Sequence, residues 1–339
     1  MQDDAVMRFE SCGTRVYRIR SQVLPHLVGY VYLLLGNFPP TLIDTGSGEG
    51  FSTTDILNGF EQVRTKFGEQ FNPQQLERIL ITHAHIDHAG GASSLSAFLE
   101  AEIWIHIYDS RIVAAYEERV AVANISFQRF LTNAGIEREQ RSAIIREFGF
   151  VKGRCSSTSV ARLLRDGDTF DGINVHHVPG HCAGQLCFEL QPFLFVGDLI
   201  LQKTVAQIWP QSLASNAGLI NQLASLDKIV KLTSGKQFIA LPGHEDIIQN
   251  VTERIETVKR THARRLERVE KYISQSPKPI TIAELAKKMY ANLPLNRNLL
   301  ALADVGAYVE YLQQNAVIRV ANYEDFEQLQ EPIFRYARV

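Results

Sequence analysis

One ten-residue stretch limits what this chain can be: Thr82-His83-Ala84-His85-Ile86-Asp87-His88-Ala89-Gly90-Gly91. Three imidazoles and a carboxylate lie within six positions, and these are the ligand types that borderline metals such as zinc prefer. The block follows an apolar run, Ile79-Leu80-Ile81, that reads as a strand, and strand-end loops are where rigid scaffolds display reactive groups. His83 and His85, two apart, can point the same way from an extended turn and grip one ion. Asp87 and His88 lie beyond the turn and can face a second ion. A bland surface cluster of histidines is the weaker reading at this spacing.

The surrounding pattern supplies more ligands in the same setting. Pro179-Gly180-His181 follows the run Ile173–Val178, Gly197-Asp198 closes the run begun at Phe193, and Pro242-Gly243-His244 follows Phe238–Leu241. Other β-rich runs are Arg15–Arg20, Val28–Leu35, Thr41–Ile43, Arg78–Ile81, Ile103–Ile107 and Leu186–Leu190. Early runs arrive as hairpin-like neighbours and later ones are separated by helical patterns, which predicts a mixed α/β fold with two sheets. From Asp109 to Phe150 a helical stretch interrupts the strands, and an insertion of that size can cover or shape a binding site.

Near residue 250 the pattern changes. Val251, Ile255, Val258, His262, Leu266, Val269 and Ile273 recur at three- and four-residue steps, so one long amphipathic helix is predicted, stopped at Ser276-Pro277-Lys278-Pro279. Thr281-Ile282-Ala283-Glu284 has the form of a capping box. A further helix over about Arg297 to Gln314 and a strand, Ala316–Val320, complete a tail that reads as a small winged-helix module. Two units are therefore expected, 1–250 and 251–339, as the 339-residue length also suggests.

Composition excludes several classes. Lys+Arg 35 against Asp+Glu 37 lacks the basic balance of an obligate DNA-coating protein. The tail is mildly basic, with 14 Lys+Arg against 11 Asp+Glu from Val251 onward, and Arg260, Arg264, Arg265, Arg268 and Lys271 share one helix. Those cations read first as a solvated face paired with Glu267 and Glu270, and second as a face for nucleic acid or an acidic ligand. The start, Met1-Gln2-Asp3-Asp4, leads into no apolar stretch, and the longest greasy run, Leu27 to Gly36, is about half of the roughly 20 residues a membrane helix needs. Cys12, Cys155, Cys182 and Cys187 form neither a disulfide framework nor a CxxC pair, so a cytoplasmic protein with reduced thiols and no membrane partner is expected.

With these residues in view the chain resembles the metallo-β-lactamase-fold hydrolases. Five motifs occur in order: Asp44 in Ile43-Asp44-Thr45-Gly46, the His83–His88 block, His181, Asp198 and His244. The resemblance covers about Thr14 to Asp246 and implies an αββα sandwich. The tail resembles, more loosely, the winged-helix extension of the β-lactamase-like 2 proteins, through Arg264-Arg265-Leu266-Glu267, Ile282-Ala283-Glu284-Leu285 and Val309-Glu310-Tyr311-Leu312. By this resemblance His83, His85 and His181 hold one divalent ion, Asp87, His88 and His244 hold a second, Asp198 bridges them and Asp44 orients a ligand. Zinc is the default metal, with iron or manganese as alternatives. Glu245 departs from the glycine that commonly follows the last histidine, and is expected to crowd or charge the rim.

Two cations about 3.5–4 Å apart lower the pKa of a shared water, so metal-bound hydroxide can attack a carbonyl without a protein nucleophile, and Asp87 can steer that water or take its proton. The leading expectation is a dinuclear hydrolase of a small ester or thioester-type acyl substrate, in the glyoxalase-II-like branch. The alternative is an endonuclease acting on single-stranded RNA with the same metal pair. A flavodiiron-type redox enzyme lacks its flavodoxin partner here, and a non-catalytic binder fits poorly with seven intact ligands. His106, His176, His177 and Cys182 read as structural, and Tyr30, Lys203 and Trp209 as weak candidates for substrate contact. The sequence sets neither the acyl group nor the oligomeric state.

Overall fold

The computed structural model describes residues 4–152, 155–291, 295–324 and 332–339, so Met1 to Asp3 lie outside it. Seven strands form the first sheet in the order in which they occur: β1 (Val6–Ser11), β2 (Thr14–Leu24), β3 (Leu27–Leu35), β4 (Thr41–Ile43), β5 (Arg78–Leu80), β6 (Glu102–His106) and β7 (Arg162–Leu164). The first four pair antiparallel, and β4 through β7 run parallel. The second sheet has β8 (Thr169–Phe170), β9 (Ile173–His177), β10 (Leu186–Leu190), β11 (Phe193–Gly197) and β12 (Ile239–Pro242), with only the β11–β12 pair parallel.

Period-two alternation explains how the sheets stack. On β2, Val16 faces the second sheet and packs in one core with Leu34, Ile43, Leu80, Val175, Phe188 and Phe195, while Tyr17 and Ile19 face helices. Those helices are α1 (Ser52–Thr65) and α3 (Ala92–Leu99), whose Ile56, Phe60, Val63, Leu95 and Leu99 cover the first sheet. Between them lies the short α2 (Ile86–Ala89). On the far side α7 (Leu219–Thr233) covers the second sheet through Leu226 and Ile229. The result is the expected αββα order.

The helical excursion comprises α4 (Ile107–Ala114), α5 (Tyr116–Asn133) and α6 (Arg138–Lys152). Ile107, read from sequence as the end of a strand, instead opens α4, because β6 ends at His106 and its ring caps the helix by accepting from Tyr108 N–H at 3.2 Å. In the tail are α8 (Val251–Ser274), α9 (Ile282–Met289) and α10 (Leu295–Gln314), then an antiparallel ribbon of β13 (Ile318–Val320) and β14 (Tyr336–Arg338). Thr281 and Glu284 form both halves of a capping box on α9.

The tail does not stand apart. The first turns of α8 put Val251, Ile255 and Val258 into the core under the second sheet. Its last turns put Val269 and Ile273 into another core, shared by α9, α10, Phe127, Phe130 and Leu131 of α5, Ile144 of α6, and Ile208 and Trp209 of the loop before α7. Insertion and tail thus bury each other's apolar faces. Among the described residues no helix is long and apolar enough to cross a membrane.

Candidate metal centre

Each motif residue sits just past the carboxyl end of a strand, at one edge of the sandwich. Asp44 follows β4 in the left-handed region (φ 62°), and its backbone N–H donates to Leu80 O at 2.8 Å, which ties it to the end of β5. The His83–His88 block follows β5, with His85 in extended backbone at the start of α2 and Asp87 and His88 in its first turn. His181 follows β9, Asp198 follows β11 and His244 follows β12. Because β11 and β12 run parallel, their ends bring Asp198 and His244 to the same level.

The seven side chains converge into three overlapping groups. His83, His85 and His181 form one, His83, His88 and Asp198 a second, and Asp87, His88 and His244 a third, with the ligand atoms of each within 4.8 Å of one another. Ring centroids of His85 and His181 lie 4.5 Å apart, and those of His83 and His88 4.1 Å apart. His83, His88, His181, Asp198 and His244 are buried, while His85 and Asp87 are partly exposed, so the group opens to solvent on their side.

Outer hydrogen bonds fix which nitrogen faces inward in four of the five rings, those of His83, His88, His181 and His244. A carbonyl oxygen can only accept, so His181 donates Nδ1–H to Gln207 O (2.6 Å) and His244 donates Nδ1–H to Val28 O (2.7 Å). His88 Nδ1 meets Asp44 Oδ2 at 2.8 Å. Thr82 gives its hydroxyl proton to that same Oδ2 (2.8 Å), which leaves its oxygen to accept from His83 Nδ1 at 3.1 Å. The Nε2 lone pairs are thereby aimed at one another: His88 and His244 face Nε2 to Nε2 at 3.3 Å, and His244 Nε2 lies 3.2 Å from Asp87 and 3.6 Å from Asp198. His181 Nε2 and Asp198 Oδ1 are buried without a hydrogen-bond partner.

That pattern fits a cation. Neutral imidazoles with their outer hydrogens committed need a Lewis acid between them, and unpartnered buried acceptors are otherwise costly. Electrostatics points the same way. Burial, then the neighbouring rings of His88, His85 and His181, holds His83 well below its ordinary pKa, and burial with His181 lowers His85 to about 3. Burial opposes charge on His88 and His244 as well, but Asp198 above all, with Asp44 at His88 and Asp87 at His244, raises His88 well above its ordinary value and His244 to about 9. The protons those carboxylates would attract to two rings mark the positive charge that the site is built to hold.

Close packing leaves no slack. A Cβ on Gly243 would fall 2.3 Å from His88 Cε1 and 2.8 Å from Asp198 Oδ1, so only glycine fits before His244. Glu245 does not turn into the site. Its backbone is left-handed (φ 63°), its carbonyl accepts from Arg18, and its carboxylate accepts from Lys203 N–H and from Thr204 N–H and Oγ1–H.

The weaker candidates fall outside the three groups. His176 pairs with Glu189 at 2.8 Å, His177 bonds Ala183 O at 2.8 Å, and His106 stacks on His177 at 3.9 Å. Tyr30 lies beneath Arg18, whose guanidinium is 3.3 Å from the ring centroid, and Lys203 Nζ pairs with Asp246 at 2.8 Å. Trp209 comes nearest, with its ring 6.4 Å from that of His85 and 5.9 Å from Phe127. Three supporting groups had no reading from sequence: the carbonyls of Gln207 and Val28, and Asp109, a fully buried carboxylate at the start of α4. A signal existed for Asp109, which follows β6 just as the His83–His88 block follows the adjacent parallel strand β5.

Comparisons with known proteins agree with this geometry. The sequence profile of the metallo-beta-lactamase superfamily matches residues 24–244, the span from β2 to the last histidine. The chain is similar to the probable metallo-hydrolase YqjP of Bacillus subtilis, 24% identical over 307 residues that cover 87% of this chain and 91% of the relative. It is also similar to a beta-lactamase-like protein 2 homolog of Caenorhabditis elegans, 24% identical over 298 residues, 87% of this chain and 82% of the relative. Among solved structures, the metallo-beta-lactamase family protein TTHA1429 from Thermus thermophilus superposes with a TM-score of 0.76 at 24% identity, over 96% of this chain and 98% of that one. The chain belongs to the metallo-beta-lactamase superfamily and is a metal-dependent hydrolase.

Proposed function

We propose that the chain hydrolyses an ester or thioester-type carbonyl of a small acyl substrate, with two divalent ions, zinc by default, held by His83, His85 and His181 on one side and by Asp87, His88 and His244 on the other, Asp198 lying between. The observation that carries this reading is the convergence of lone pairs whose opposite ring nitrogens are already bonded to Gln207 O, Val28 O and Asp44. Such an ion pair, when bound, polarises a carbonyl oxygen and makes water acidic enough to attack at neutral pH.

The chain's own groups divide the remaining work. Asp87 has one oxygen 3.2 Å from His244 and is partly exposed, unlike the buried Asp44 and Asp198, so it can orient a water, take its proton and return it to the leaving group. No covalent intermediate is needed. The thiol nearest the site, Cys182, is turned toward Asp109 at 3.2 Å, and burial followed by that carboxylate holds its pKa well above the ordinary range, so it is no nucleophile. Trp209, backed by Phe127, offers an apolar flank beside His85 suited to the acyl part of a substrate.

Acyl hydrolysis is favoured over RNA cleavage because three of the five cations Arg260, Arg264, Arg265, Arg268 and Lys271 on α8 are engaged within the tail. Arg265 turns toward Asp304 (3.4 Å), Arg268 donates to Met289 O at 3.1 Å and Arg260 to Thr257 Oγ1 at 2.9 Å. Free thiols at all four cysteines suit a reducing, cytoplasmic setting. The test is a panel of acyl thioesters, lactones and single-stranded RNA offered to the metal-loaded protein. Turnover of carbonyl substrates supports the proposal, and salt-sensitive RNA cleavage without acyl hydrolysis overturns it.

A further inference from the structure

The helical insertion begins at the metal centre. Asp109 lies in the first turn of α4 and is fully buried, and its two oxygens are divided between two loops. Oδ2 accepts from the backbone N–H of Ala84 at 2.9 Å, and Ala84 stands between His83 and His85. Oδ1 accepts from the backbone N–H of Gly184 at 2.8 Å, three residues after His181, and the Cys182 thiol adds a third donor at 3.2 Å from Oδ2. The first loop leaves the seven-stranded sheet after β5 and the second leaves the five-stranded sheet after β9.

We propose that Asp109 is a positioning residue that sets the spacing between the His83/His85 loop and the His181 loop, and so prepares that three-histidine group for its ion; this rests on the metal-site reading above.

Three features make the role specific. A carboxylate is the one side chain of this size with acceptors only, and each of its partners here is a donor. Without it the backbone N–H groups of Ala84 and Gly184 would lose their acceptor where little water can replace it. The approach is also closed to any larger neighbour, since a Cβ on Gly184 would stand 2.4 Å from Asp109 Cγ. Asp109 touches neither His88 nor His244, so its effect is confined to one side of the site.

The test is calorimetric titration of the full chain with zinc after stripping with a chelator, comparing wild type, Asp109→Asn and Gly184→Ala. Asparagine retains the size but turns an NH2 toward a donor, and Gly184→Ala displaces the carboxylate without removing it. Asp55→Asn is the control, because the Asp55 carboxylate also accepts a backbone N–H, from Gln22 at 2.8 Å, on α1. In both Asp109→Asn and Gly184→Ala one of two binding steps is expected to weaken about 10- to 100-fold while the other stays within about twofold. In Asp55→Asn both steps are expected to stay unchanged. Two steps of wild-type affinity in Asp109→Asn, or in Gly184→Ala should Asp109→Asn not fold, overturn the positioning role and leave the hydrolase reading standing. Equal weakening in Asp55→Asn also overturns it. No zinc uptake by wild type overturns the reading beneath it.

Discussion

A single carboxylate oxygen of Asp44, Oδ2, meets both the Thr82 hydroxyl and His88 Nδ1 at 2.8 Å, while Oδ1 accepts the Thr82 backbone N–H at 2.7 Å. Asp44 therefore orients His88 directly and His83 through Thr82. Asp44→Asn suits the left-handed backbone there but replaces an acceptor by a donor. Metal affinity is expected to fall about 10- to 100-fold with secondary structure intact, as read by zinc titration and far-UV circular dichroism.

Asp87 is expected to separate chemistry from folding. Asp87→Ala should abolish turnover and leave the thermal unfolding of the metal-free protein near wild type, because the side chain is partly exposed and makes its contact to His244 within the site. Normal turnover in that variant removes Asp87 from the mechanism.

His262 gives the tail a pH dependence of its own. It is buried on α8, with Nδ1 2.8 Å from Tyr308 Oη and Nε2 without a partner, and burial followed by the charge of Arg265 lowers its pKa to about 4. The unfolded chain takes up this proton near pH 6.5, before the folded chain does. The contribution of His262 is thus complete above pH 6.5 and is lost as pH falls toward 4, by about 3 kcal/mol in all. Denaturant unfolding of wild type and His262→Gln across that window is expected to show a steeper loss in wild type.

Ending the chain at Asn250 is expected to give an insoluble product. The cut removes Val251, Ile255 and Val258 from the core beneath the second sheet and uncovers Phe127, Phe130, Ile208 and Trp209. A soluble, protease-resistant 1–250 fragment on gel filtration would contradict this.

Much of the architecture is legible in the amino-acid order, since apolar runs such as Thr41–Ile43 and Leu186–Leu190 are bounded by turn residues and stand where the structure has them. The metal centre is legible for a related reason. Each of its side chains follows a strand, so reading the strands also locates the site. Asp109 escapes because an acid in the first turn of a helix usually needs no other explanation. Gln207 escapes because its role lies in a backbone carbonyl, which side-chain chemistry does not reveal. β1, β7, β8 and β14 escape too, and the last three are strands of two or three residues, too short to show an alternation. The shared core of insertion and tail is hidden as well, since periodicity marks the apolar face of α8 but not the helix that will cover it.

The most direct measurement is the metal content of purified protein by elemental analysis, before and after equilibration with zinc. About two equivalents per chain are expected, with loss of about one in His181→Ala and of about one in His244→Ala. A folded wild-type chain that retains no divalent metal after equilibration would contradict the account.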